Sequence, residues 1–144
     1  MAVQNVLNVN NQSPFLSGSF KSDGGILAQD TGETIPTARM TVLGQVSASL
    51  KLVPLVSTAT DGSQFPFAIL NQEDIPAADV VLGDVELTNI VKGGDGKINK
   101  ASIVFHNGTD TLDTIVSGRT IESYLNDKGL FFKDVVDIVG YENA

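Results

Sequence analysis

The stretch from Val80 to Phe105 constrains the fold more than any other part of this chain. Val80-Val-Leu82 leads into Gly83-Asp84. Beyond that point Val85, Leu87 and Val91 point one way, and Glu86, Thr88 and Lys92 the other. A two-residue period is the mark of a strand with one buried face. Gly93-Gly-Asp-Gly96 interrupts it, and Ile98 to Phe105 resumes with Ala101, Ile103 and Phe105 on one face. Two strand-like runs around a glycine-rich break predict a β-hairpin that reverses at Gly93–Gly96.

Shorter signals surround this one. Ala48, Leu50 and Leu52 alternate with Ser47, Ser49 and Lys51, predicting a half-buried strand that Pro54 ends or marks as an edge. Thr60-Asp-Gly-Ser63 is a turn signal, because Asp-Gly suits the positive-φ conformations of tight turns. Phe67-Ala-Ile-Leu70 is a short apolar run between Pro66 and Asn71-Gln-Glu-Asp74, as expected of a core strand. Ile75-Pro-Ala-Ala78 reads as a turn or connector, and Asn107-Gly108 as a further turn.

One helix is predicted from Thr120 to Lys128. Thr120 is an N-cap residue, and Glu122 suits the positive first turn. Ile121, Tyr124 and Leu125 form one apolar stripe. Lys128 suits the last turn, and Gly129 the left-handed position beyond it. Leu130 to Ile138 reads as a final strand, residues 109–118 fit helix or strand equally, and no internal repeat is visible.

Residues 1–40 have a different character. They hold scattered Asn, Gln, Ser and Gly, with apolar residues isolated or paired as Val6-Leu7, Phe15-Leu16 and Ile26-Leu27. No helical or strand period is sustained, so this segment is expected to be a flexible arm and residues 41–144 the folded domain. The paired apolar residues would be the anchors of an arm that orders on a partner.

Charge and cysteine content narrow the function. The net charge of −8 argues against a nucleic-acid binder that works by neutralising phosphates. The absence of cysteine excludes disulfide scaffolds, thiolate zinc sites, iron–sulfur sites and cysteine nucleophiles. Nothing at the N-terminus has the basic and continuous apolar regions of a secretory signal, and no run approaches the ~18 apolar residues of a membrane span. Residence in the cytoplasm of the producing cell, or in a particle assembled there, is therefore expected.

Several motifs invite a catalytic or ligand-binding role and fail on their details. Asp95-Gly-Lys-Ile-Asn99 resembles the centre of a calcium loop, but the first, third and twelfth ligand positions would fall on Val91, Gly93 and Ser102. His106 is the sole histidine, so any Ser-His-Asp triad must use it, yet no G-x-S-x-G elbow exists. Glu73-Asp74, Asp84/Glu86 and Asp110/Asp113 are carboxylate pairs that arise readily among 17 acids. Gly24-Gly25 and the Gly93 cluster lack the pattern of a phosphate loop. No cofactor or metal is expected.

The order of these signals resembles a family. Leu52-Val-Pro-Leu55, Asp61-Gly62, Phe67-Ala-Ile-Leu70, Ala77-Ala78, the predicted hairpin, and the closing helix and strand follow one another after a polar arm. This order, over about residues 25–140, is similar to that of the head decoration proteins of tailed bacteriophages, which include the lambda capsid-stabilising protein. A "G-I-L-A" type segment of that family occurs twice here, at Gly25-Ile-Leu-Ala28 and around Phe67–Leu70.

The resemblance implies an α+β, mainly β fold: a small β-barrel-like domain, a β-tulip, with one C-terminal helix and an extended N-terminal arm. It implies a non-enzymatic homotrimer on the exterior of the expanded capsid, with the major capsid protein as partner. No nucleic acid, membrane or small-molecule substrate is expected. Val6, Leu7, Phe15, Leu16, Ile26 and Leu27 would be the capsid-binding anchors of the arm. The alternatives are another virion or surface module, such as a tail component or a glycan-binding adhesin, and a small hydrolase centred on His106.

Overall fold

The computed structural model describes residues 13–135. It is mainly β. The strands are β1 (Phe15–Leu27), β2 (Val42–Gln45), β3 (Leu52–Pro54), β4 (Pro66–Leu70), β5 (Val85–Asn99), β6 (Ile115–Val116), β7 (Arg119–Thr120) and β8 (Leu130–Lys133). Two short helices, α1 (Ala77–Leu82) and α2 (Ile121–Asp127), accompany them.

Five strands close into a ring. β1 meets β3 in parallel at Leu27 and Leu52, β3 pairs with β2, β2 with β4, and β4 with β5. β5 then returns to β1 over almost its whole length, from Val85 opposite Leu27 to Ile98 opposite Phe15. Only the Leu27 end of that long pair belongs to the ring. The rest projects as a ribbon, widened by β8 running parallel to β5 from Gly96–Leu130 to Asn99–Lys133. This small barrel with a C-terminal helix is the fold class that the sequence implied.

Two apolar clusters lie on opposite sides of the sheet, and alternation assigns residues to them. In β4, Ile69 enters one cluster, while Ala68 and Leu70 enter the other. Both faces of β4 are therefore covered, which is why Phe67–Leu70 reads as a continuous apolar run. Val42 and Leu43 on β2 divide in the same way. Burying each Leu or Ile side chain contributes roughly 1.5–3 kcal/mol. The first cluster also takes Ile121 and Leu125 from α2.

The helix signal at the C-terminus is borne out. The Thr120 hydroxyl accepts a hydrogen bond from the Ser123 amide at 3.1 Å, Glu122 lies in the first turn, and Gly129 has φ +87°. The Tyr124 hydroxyl donates to the Val116 carbonyl at 2.7 Å and ties the helix to β6. The turns at Gly62 and Gly108 also form, both with positive φ.

The predicted hairpin does not form. Gly93–Gly96 does not reverse the chain; β5 runs straight through it as a 15-residue strand. The glycines answer crowding, not turning. A Cβ on Gly94 would overlap the Ser19 carbonyl of β1, and one on Gly96 would overlap the Phe20 ring. On the other side the Gly94 amide donates to the Lys128 carbonyl at 2.9 Å, and the Gly96 amide to the Gly129 carbonyl at 3.0 Å. Backbone from both neighbours comes closer than a side chain would allow. Past Asn99 the chain enters a 3₁₀ turn, Lys100–Ser102, so the expected return strand to Phe105 is reduced to one bridge between Val104 and Thr41.

Three further expectations are corrected. Val80-Val-Leu82 belongs to α1, which begins after Pro76 and buries Val80 in the second cluster; this docking overrides the strand preference of paired valines. Residues 46–50 turn instead of extending, with Leu50 at φ +62°, and the strand starts only at Leu52. The boundary at residue 40 cuts through the sheet, because β1 lies inside the expected arm. Its exposed, bulged edge hides the two-residue period. Residues 1–12 of that arm, and 136–138 of the expected last strand, lie outside the described residues.

Candidate interaction surface

The ribbon brings the two ends of the described chain together. Phe15 opens β1 opposite Ile98, and Phe132 stands opposite Ile98 on the other side. The Pro14 carbonyl accepts from the Asn99 amide at 2.7 Å, and Asn99 is also aligned with Lys133. Pro14 and Lys133 therefore lie at the same end of the ribbon.

The six anchor residues divide under this geometry. Phe15 is half-buried, stacked edge-on against Phe20 with ring centres 4.8 Å apart and packed on the first cluster. Leu16 beside it is 40% exposed. Ile26 is equally exposed, but it lies ten residues along β1 from Leu16, about 33 Å away at the usual strand rise. Leu27 is 1% exposed and already occupied in the core, so as a partner anchor it is corrected. Val6 and Leu7 lie outside the described residues. Phe15 and Leu16 thus share the terminal end, and Ile26 does not.

Sequence reasoning missed part of this end. Phe131 is 41% exposed on β8, aligned through Lys97 with Ser17 of β1, and Val135 is exposed just beyond. The alternation Leu130 in, Phe131 out was the available signal. Exposed apolar side chains grouped at one end of the ribbon are what a partner surface requires.

His106 and one member of each carboxylate pair have structural partners. His106 Nε2 stands 2.9 Å from Glu33 Oε2. Burial raises the Glu33 pKa, but the Ile35 amide, His106 and the Thr34 amide outweigh it and hold the carboxyl below its ordinary value. The pair borders an apolar pocket of about 290 Å³ that Ser63 also lines, but the Ser63 hydroxyl donates to Asp61. Asp84 bonds Lys51 at 2.6 Å and the Gln29 amide at 2.8 Å. Asp110 receives Ser57 and Asn107, and Asp74 receives the Arg39 amide. Asp95–Asn99 is strand throughout. No helix among the described residues is long and apolar enough to cross a membrane.

A family model described as bacteriophage lambda head decoration protein D matches residues 17–118, more than two thirds of the chain. The match starts within β1. No curated protein matches the chain.

Proposed function

Because the chain belongs to the bacteriophage lambda head decoration protein D family, whose role is structural and at the capsid, we propose that it coats the outside of an expanded phage head as a homotrimer and braces the shell against the packaged DNA. The major capsid protein is the partner. The terminal segments order on the lattice, and the folded domain carries the trimer contacts. The match over residues 17–118 carries this reading, and the grouping of Leu16 and Phe131 at one end of the ribbon supports it.

The physics suits such a clamp. Without cysteine, subunits cannot be cross-linked by disulfides, so strength must come from repetition. Once one subunit of a trimer is seated, the others meet their sites at high effective concentration. An extended segment that orders on binding adds backbone hydrogen bonds at a sheet edge and sets its ordering entropy against them.

The test uses the full chain and a form lacking residues 1–12, each mixed with expanded, undecorated heads. The full chain should co-sediment with heads, appear in electron micrographs as a threefold density, and raise the temperature at which DNA escapes. The truncated form should remain a trimer and lose the heads. A full chain that leaves heads bare would overturn the capsid role; a truncated form that coats them normally would overturn the role of the terminal segment.

A further inference from the structure

We infer that a lysine-lined groove on the ribbon docks the acidic surface of a second copy of this chain. The inference rests on the homotrimer reading above and names the surface that would make it. The groove, of about 390 Å³, opens where β1, β5 and the turn before β8 meet, and its charged residues are Lys21, Asp23, Lys92 and Lys128. Three lysines and one aspartate give it a charge of +2 in a chain of −8, leaving −10 for everything else.

Two of the lysines converge on one spot. Lys92 Nζ and Lys128 Nζ stand 5.7 and 5.6 Å from the centre of the same ring, Phe67 on β4. Asp23 meets Lys92 at 3.0 Å. The nearest acid in sequence to Lys128 is Asp127, and it is held by Arg119 at 2.6 Å. Three lysines and one aspartate line the groove, so an incoming carboxylate meets an excess of positive charge.

The complement is on the same molecule. Glu73 and Asp74 are exposed in the connector that leads into α1, and Asp79 in α1 itself; Arg39, beside Asp74, gives its guanidinium to Asn71. Groove and connector are different surfaces, so their contact between copies is head-to-tail, and such contacts close into rings when the rotation allows. Charged contacts of this kind set register and speed encounter.

The test is mass photometry of the full chain and of the Lys21→Glu, Lys128→Glu double variant, across concentration and salt. Lys92 is left in place to keep its pair with Asp23. The double variant should still unfold cooperatively and need at least tenfold more protein for half-assembly. Salt should weaken the wild-type trimer in the same direction. Lys21→Gln with Lys128→Gln should act likewise but less strongly, and covers the case in which charge reversal prevents folding. Adding a Glu73→Lys, Asp79→Lys chain should restore assembly in part, because two of the three contacts in a mixed ring become complementary and one stays between like chains.

Unchanged assembly of both variants would overturn the inference. So would loss of head binding, or of binding to a test oligonucleotide, with the trimer intact; the first result would still leave the capsid role standing. A wild-type trimer that weakens as described but ignores heads would support the groove and overturn the capsid role instead.

Discussion

From Val85 to Lys92, β5 is held by its side chains: Glu86, Thr88 and Lys92 are exposed, Leu87 and Ile90 enter one cluster, and Val91 enters the other and not, as expected, the face of Leu87. From Gly93 to Asn99 the same strand is held another way. Three of its first four residues are glycine, and their lack of side chains lets β1 and the Lys128–Gly129 backbone close in from both sides. The first half is held by what its side chains fill. The second is held by what its missing side chains leave open. A glycine cluster in a strand-like context signals close backbone approach as readily as it signals a turn.

The largest expected effect breaks the glycine half. Gly94→Val puts a branched side chain against Ser19 at φ +141°, so backbone on two strands must move. Such overpacking and strain together should destabilise by about 4 kcal/mol or prevent folding. Gly108→Ala is the control: its φ is +72°, but nothing lies within 4 Å of the new methyl group, and a loss near 1 kcal/mol is expected. Urea unfolding of both variants measures the difference. Equal losses would mean that positive φ alone, and not the crossing of strands, accounts for the glycine.

The same division runs along β1 and separates core from surface among the anchor residues. Leu27→Ala should lower stability by roughly 2–4 kcal/mol through the cavity it leaves. Leu16→Ala should change stability by less than about 0.5 kcal/mol and weaken head binding. Denaturant midpoints and co-sedimentation of both variants test this pair. A Leu16 variant as unstable as the Leu27 variant would show that the ribbon end is core.

These contrasts explain what could be read in advance. Elements fixed by their own residues were legible: Thr120 and Gly129 bracket α2, Phe67–Leu70 is β4, and Asn107-Gly108 turns. Elements fixed by distant chain were not. Gly93–Gly96 looks like a turn because its partners, Ser19, Phe20 and Lys128, lie far away in sequence. Phe15–Leu27 looks shapeless because three register shifts break its alternation and much of it faces solvent. The candidate surface was half legible for the same reason. Phe15 and Leu16 announce themselves as an apolar pair, but only the parallel pairing of β8 with β5 brings Phe131 alongside. The groove escaped notice because Lys21, Lys92 and Lys128 come from three separate segments.

The smallest expected effect separates the two halves by pH. At the barrel end the loop after β1 is held by Glu33, whose side chain is 9% exposed and bonds His106, the Thr34 amide and the Ile35 amide. The ribbon is held mainly by backbone pairs that do not titrate, and its Asp23–Lys92 pair is exposed and weak. The folded-state pKa of Glu33 lies below its ordinary 4.5, so between the two values the unfolded chain binds more protons than the folded one. Stability from this group is present above pH 4.5 and is lost as pH falls through the depressed value. Glu33→Gln should therefore cost about 1–2 kcal/mol at pH 7, and the gap to wild type should shrink as the solution is acidified below 4.5. Urea midpoints of both proteins from neutral to pH 3 measure that gap. A gap that widens in acid would mean that Glu33 is already protonated in the folded protein, and that the loop is held by packing alone.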